Sequence, residues 1–232
     1  MNTNYVDFEN KNISNDWDYL VNKKNNLLSK VFNFFVNYFI LKIINKDLAK
    51  IIIKNFKKKN NVKIIEFGCG RATTSKILSK KKNIQISVMD NNDAIINYLK
   101  KEKNNFLIIK GDCLKNNIYK IGDYDISFSS GTFEHFNTTQ RKIYLQNIMK
   151  ISRYGIIAVP AENILWKIAS YVRFFTDKKN KSIWDDNFQS YNFKKIKKIF
   201  KSLNNFSLIE MRYTYNFGLK TFLIFEFKKK FK

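Results

Sequence analysis

The chain has one proline, two cysteines, one histidine and seven glycines among 232 residues, and each shortage closes something off. Cys69 and Cys113 are too few for a disulfide framework and lack metal-ligand spacing, so reduced thiols in a cytoplasmic protein are expected. Neither stands beside a base or basic cluster that would make it a nucleophile. No segment reaches the roughly 20 apolar residues of a spanning helix. The most apolar stretch, VFNFFVNYFILKII from Val31, is interrupted by Asn33, Asn37 and Lys42. The opening MNTNYVDFEN is polar and acidic, unlike a secretory leader. Acids are scarce too: 19 Asp and Glu stand against 43 Lys and Arg, a formal charge of +24.

That charge admits two readings. It suits an anionic partner, either nucleic acid or a membrane surface. It also suits codon bias, because the abundant Lys, Asn, Ile and Phe have A/T-rich codons and the scarce Gly and Pro have G/C-rich ones. The lysines are scattered through FKKKNN, LSKKKN, TDKKNK and EFKKKFK, which favours bias. With 44% hydrophobic and 16% aromatic residues, the chain has core enough for one domain, and one domain over residues 1–232 is expected. Nothing specifies an oligomeric state.

A helical pattern without Pro or Gly runs over about residues 27–56, with a break expected near residues 45–47. From Val62 an alternation begins. The apolar runs VKIIEF, IQISVMD, FLIIKGD, YDISFSS and YGIIAVP are separated by helical stretches, which predicts a parallel sheet covered on both faces. A polar and aromatic segment around Trp184 precedes NFKKIKKIFKSL, where Phe193, Ile196, Ile199, Phe200 and Leu203 share one helix face. Two β-like runs joined by NFG predict a closing hairpin. The expected class is therefore α/β: a Rossmann-like, doubly wound, mostly parallel seven-stranded sheet with an antiparallel C-terminal hairpin and an N-terminal helical lid. Residues 1–61 form the lid segment, 62–160 the cofactor-binding core, and 161–232 the substrate loop, last helix and hairpin.

The chemistry concentrates in EFGCGRATTSKIL. Gly68 and Gly70 allow a sharp turn at a strand's carboxyl end, where open parallel sheets bind ligands. The helix after it offers free N–H groups. Asp90 ends the next run, twenty positions after Gly70, where an acid can accept hydrogen bonds from ribose hydroxyls. A dinucleotide turn needs G-x-G-x-x-G/A, and Thr73 stands at its last position. An acid two residues before the first glycine, here Glu66, suits instead a cationic, phosphate-free nucleoside.

EFGCGRA, VMDNNDAI, IIKGDCLK and YDISFSSGTFEHF, in this order, resemble the binding segments of class I S-adenosylmethionine-dependent methyltransferases, in the small-molecule, type 11-like branch. The resemblance runs from Val62 to the C-terminus and implies S-adenosyl-L-methionine as cofactor. It implies cofactor contacts at Glu66, Gly68, Cys69, Gly70 and Ala72, the last replacing a third glycine. It also implies them at Asp90 and Asn91 beside the ribose, Asp112 and Cys113 beside the adenine, and Ser129 on the fourth strand. The D/N/S-P-P-Y/F motif of amino-directed nucleic-acid methyltransferases is missing, as is the Pro-Cys nucleophile of cytosine-carbon enzymes. A small-molecule acceptor with an oxygen nucleophile, on a sugar, quinone or lipid-type intermediate, is therefore favoured, the alternatives being an RNA methyltransferase using the basic surface and a non-catalytic cofactor-binding family member. Peripheral membrane contact through the apolar helix from Val31 is the other partner considered. His135 of FEHF is the candidate general base, with an ordinary pKa near 6.5. In the ubiquinone O-methyltransferase branch two Glu and a His of this segment bind a metal. Gly131 stands at the first Glu position, so no metal is expected. Trp17 and Tyr19 are candidate lid aromatics.

Overall fold

The computed structural model describes residues 5–7, 42–56, 60–102, 104–163, 189–216 and 218–230. Its elements are β1 (Tyr5–Asp7), α1 (Lys42–Phe56), β2 (Val62–Phe67), α2 (Thr73–Leu78), β3 (Ile84–Asp90), α3 (Asp93–Lys101) and β4 (Leu107–Lys110). There follow β5 (Tyr124–Ser130), α4 (Thr138–Ile151), β6 (Ser152–Pro160), α5 (Phe193–Lys201), β7 (Phe206–Asn216) and β8 (Leu219–Lys229). Single 3-10 segments occupy Asn116–Ile121 and Phe133–His135.

The strands form one sheet in the order β1-β4-β3-β2-β5-β6-β8-β7. β1 to β6 pair in parallel, whereas β8 is antiparallel to both β6 and β7. The near-continuous apolar runs follow from cover on both faces. Adjacent residues take opposite sides. Ile64, Val88, Ile108 and Ile156 pack with buried residues of α1, α2 and α3, while Ile65, Met89, Ile109 and Ile157 pack with those of α4 and α5. In α5, Ile196 and Phe200 are buried and Phe193 and Ile199 half-buried, as the helical spacing predicts.

Two features depart from expectation. The predicted seven strands are joined by an eighth, since Tyr5–Asp7 pairs in parallel with β4 and extends that edge of the sheet. A three-residue strand leaves no periodic signature, and only the edge it completes defines it. The break predicted near residues 45–47 is also absent, because α1 continues through them. Asn45 accepts a hydrogen bond from Thr74 Oγ1 at 2.7 Å, and Asp47 pairs with Lys50 at 3.4 Å, so both polar side chains are satisfied without leaving the helix. Most of the rest of residues 1–61, with Trp17, Tyr19 and most of the apolar run from Val31, lies outside the described residues, as does Trp184. Among the described residues no helix is long and apolar enough to cross a membrane.

Candidate active site

The strand order reverses between β2 and β5, since β3 and β4 lie to one side of that pair and β6 to the other. A crevice at the carboxyl ends follows from that switch. Its near wall is the turn after β2. Gly68 and Gly70 have φ of +57° and +50°, and Ala72, which precedes α2, is also left-handed at +51°. A Cβ on Gly70 would meet no atom within 4 Å, so the turn is open on that side.

Three loops converge here through the backbone. Cys69 N–H donates to Met89 O at 3.1 Å, and Gly111 N–H donates to Asp90 O at 3.0 Å, carrying the ladder past the ends of β2 and β4. The Asp90 carboxylate accepts Gly70 N–H on Oδ2 at 2.9 Å and Asn92 N–H on Oδ1 at 3.0 Å. Burial raises its pKa, opposed by these backbone hydrogen bonds. Glu66, Gly68, Cys69, Gly70, Ala72, Asp90, Asn91, Asp112 and Cys113 are thus brought to one end of the sheet. Asp112 Oδ1 accepts Leu114 N–H at 2.8 Å, and Asn147 Nδ2 of α4 donates to the carbonyls of Cys113 and Lys115 at 2.9 and 3.1 Å. Cys69 is buried, and its thiol is held well above the usual range by that burial. Ser129 is fully buried beneath α4. Its hydroxyl faces Tyr144 without hydrogen-bond geometry, so its side chain is packed away from the crevice.

Glu66 is almost fully buried, and its Oε2 accepts Ser75 Oγ at 2.5 Å and Ser75 N–H at 3.3 Å. Desolvation pushes its pKa up to about 7, only partly offset by the two Ser75 bonds. A carboxylate therefore takes up an N–H of α2's first turn, the position a pyrophosphate uses in dinucleotide folds. Such an acid repels phosphate and attracts a cation. Together with the open side of Gly70 and the Asp90 carboxylate, it gives a donor set that fits S-adenosylmethionine.

The far wall is the segment after β5. Thr132 Oγ1 donates to Gly68 O at 3.2 Å, with Phe67 O at 3.4 Å, and ties the two walls together. Phe133–His135 is a 3-10 turn in which His135 is half-buried and its N–H donates to Thr132 O at 3.2 Å. Glu134 is more deeply buried than His135. It is 2% exposed, its Oε2 has no hydrogen-bond partner, and burial pushes its pKa up to about 8. Its carbonyl accepts Gln189 N–H at 3.2 Å and Arg141 Nη2 at 3.5 Å, while Arg141 Nη1 reaches Gln189 Oε1 at 2.9 Å. Arg141 thereby fastens the chain where it returns at Gln189. Among the described residues no group of three or more His, Cys, Asp or Glu could hold a metal.

Thr132, Ser75, Arg141 and Asn147 had no signal in the sequence. Each acts through a contact with a residue distant in the chain, and a lone Thr, Ser, Arg or Asn in a helix or turn carries no pattern.

A parallel sheet closed by an antiparallel hairpin, with a glycine turn at the switch point and acids at the next two strand ends, is the fold of class I methyltransferases. Residues 64–155 match the family model described as a methyltransferase domain, so the chain carries an S-adenosylmethionine-dependent methyltransferase domain, with S-adenosylmethionine as cofactor. Solved structures agree on the fold. Magnesium protoporphyrin IX methyltransferase from Synechocystis PCC 6803, with bound SAH, matches with a TM-score of 0.63 at 12% identity, over 93% of each chain. A protein from Pyrococcus horikoshii OT3 matches with 0.64 at 16%, over 88% of this chain and 99% of that one. The small RNA methyltransferase HEN1 matches with 0.56 at 16%, over 81% of this chain and 25% of its own. No curated protein matches by sequence.

Proposed function

We propose that the protein methylates an oxygen nucleophile on a small-molecule acceptor, of sugar, quinone or lipid type, with His135 as general base. S-adenosylmethionine supplies an electrophilic methyl group on a sulfonium sulfur. Asp90 and Asn91 hold the ribose, Asp112 and the main chain at Cys113 hold the adenine, and Glu66 with the turn from Gly68 to Ala72 favours the cationic end. Ser129 contributes only through its main chain. His135 would take the acceptor's hydroxyl proton as the C–O bond forms and the methyl–sulfur bond breaks, its electron pair leaving on the sulfur of the thioether S-adenosylhomocysteine.

One observation carries this reading: the only histidine of the chain sits in the turn after β5, and Thr132 ties that turn to the glycine turn across the crevice. The test is untargeted detection of labelled product from a cell extract given the enzyme and methyl-labelled S-adenosylmethionine. Label should enter the small-molecule fraction. His135→Ala should lose roughly 10²–10⁴-fold in turnover with S-adenosylmethionine affinity intact. Turnover within a few-fold of wild type in a variant that binds cofactor normally would make His135 structural.

RNA methylation is the second reading, supported by the +24 charge and the likeness to a small RNA methyltransferase. Label entering the RNA fraction, with RNA affinity that falls steeply with salt, would favour it.

A further inference from the structure

Three large hydrophobic side chains stand exposed among the described residues: Ile209, Tyr215 and Leu219, and all three belong to the β7–β8 hairpin. Tyr215 and Leu219 flank its tip, where Asn216 pairs with Leu219. β8 runs antiparallel to β6, and Phe222 pairs with Pro160, the last residue of β6. The tip therefore projects beyond the carboxyl ends of the parallel strands, the same end that carries the glycine turn and His135.

This apolar tip adjoins a basic helix. Lys220 Nζ lies 4.6 Å from the centroid of the Tyr213 ring, and Phe193 stacks on that ring at 4.6 Å and 5°. Phe193 opens α5, so the hairpin tip and the first turn of α5 make one continuous surface. α5 exposes Lys194, Lys197, Lys198 and Lys201 and contains no acid. The acids bordering this corner already have cationic partners: Glu162 pairs with Lys195 at 3.4 Å, and Glu210 and Glu226 pair with Arg212.

We propose that this corner, formed by Tyr215, Leu219, Lys220 and the lysine face of α5, docks on an anionic lipid bilayer. Ammonium groups in that number are drawn to anionic headgroups. The exposed Leu219 side chain gains by leaving water at the acyl boundary, and the Tyr215 ring suits the headgroup level. A nucleic acid would satisfy the lysines but offers Leu219 nothing, which is why the lipid surface is the better match. Docking sets the open end of the crevice beside the membrane, so the acceptor becomes an amphiphile drawn from it. That substrate class rests on the small-molecule reading above, whereas docking itself is read without turnover, so the two fail separately.

The test uses the full chain with phosphatidylcholine vesicles, with and without phosphatidylglycerol, in cosedimentation at physiological salt. The protein should bind only the anionic vesicles. Tyr215→Ser with Leu219→Ser, and separately Lys194→Glu with Lys220→Glu, should each lower partitioning by about tenfold or more. Lys80→Glu with Lys81→Glu, at the opposite end of the sheet, should change it by less than about threefold. Hydrogen exchange on the unaltered protein should show vesicle-dependent protection over residues 213–220, a readout that needs no variant. Absence of binding to anionic vesicles, an equal loss from the Lys80 and Lys81 changes, or no effect of the Tyr215 and Leu219 changes would overturn the proposal. So would retention of a structured RNA by a protein that leaves the vesicles unbound.

Discussion

Thr132 stands where a side chain on Gly68 would have to go. Its hydroxyl donates to the Gly68 carbonyl at 3.2 Å, and a Cβ built on Gly68 would lie 3.0 Å from the Thr132 Cβ and closer still to the atoms beyond it. Gly68→Ala therefore meets two penalties, a left-handed backbone that costs an alanine about 1–2 kcal/mol and displacement of Thr132. Denaturant unfolding should show a loss of about 2–4 kcal/mol. Thr132→Gly in the same chain should return part of that loss, and strictly additive single changes would show that the two residues are not coupled.

Ser75 is the partner that makes burial of Glu66 tolerable. Ser75→Ala removes the 2.5 Å hydroxyl bond and leaves an acid in a dry site with a single backbone donor. Stability should fall by about 1–3 kcal/mol, and by more at pH 8 than at pH 5, since the carboxylate needs the donor more than the neutral acid does. Equal losses at both pH values would mean that Glu66 stays protonated throughout.

Glu134 gives the protein a stability component that fades with alkali. Its folded pKa, about 8, lies above the ordinary 4.5, so the folded state holds the proton more tightly. That contribution is full below pH 4.5 and is lost as the pH rises through about 8. Glu134→Gln, which never ionises, should match the wild type within about 1 kcal/mol at pH 5 and be the more stable at pH 9, by an amount on the order of 4 kcal/mol. Parallel melting curves of the two proteins from pH 5 to pH 9 would remove the effect.

Asp90 shapes the turn besides carrying the ribose role proposed for it. S-adenosylmethionine should raise the melting midpoint and NAD should not, because only a ligand bound to the folded state stabilises it. Asp90→Ala deletes the acceptor of Gly70 N–H and Asn92 N–H together with the proposed ribose contacts. Calorimetry should show S-adenosylmethionine affinity reduced by about tenfold or more, at about 0.5–1.5 kcal/mol for each bond lost. Wild-type affinity in a folded variant would end the ribose role.

Much of this was legible in the sequence because the signals are local. Ile64 and Ile65, or Ile156 and Ile157, announce doubly covered strands by adjacency alone, and EFGCGRA states its turn in seven letters. The hairpin was written in NFG, whose Gly218 has a φ of +76°. Interactions between distant residues were not legible. Glu66 reads as a ligand contact by spacing, yet its Oε2 is committed to Ser75, nine residues on. Ser129 reads as part of the pocket, yet its side chain lies beneath α4. The polar residues Asn45 and Asp47 read as a break in α1, although Thr74 of α2 and Lys50 of α1 itself give each a partner.

Asn147 and Arg141 lie six residues apart on α4. One grips the loop that follows β4, and the other grips the chain where it returns at Gln189. Six residues of α-helix span about 9 Å along the axis, a length fixed by the backbone hydrogen bonds of the helix itself. The spacing between the loop after β4 and the chain at Gln189 is thus gauged by a rigid strut.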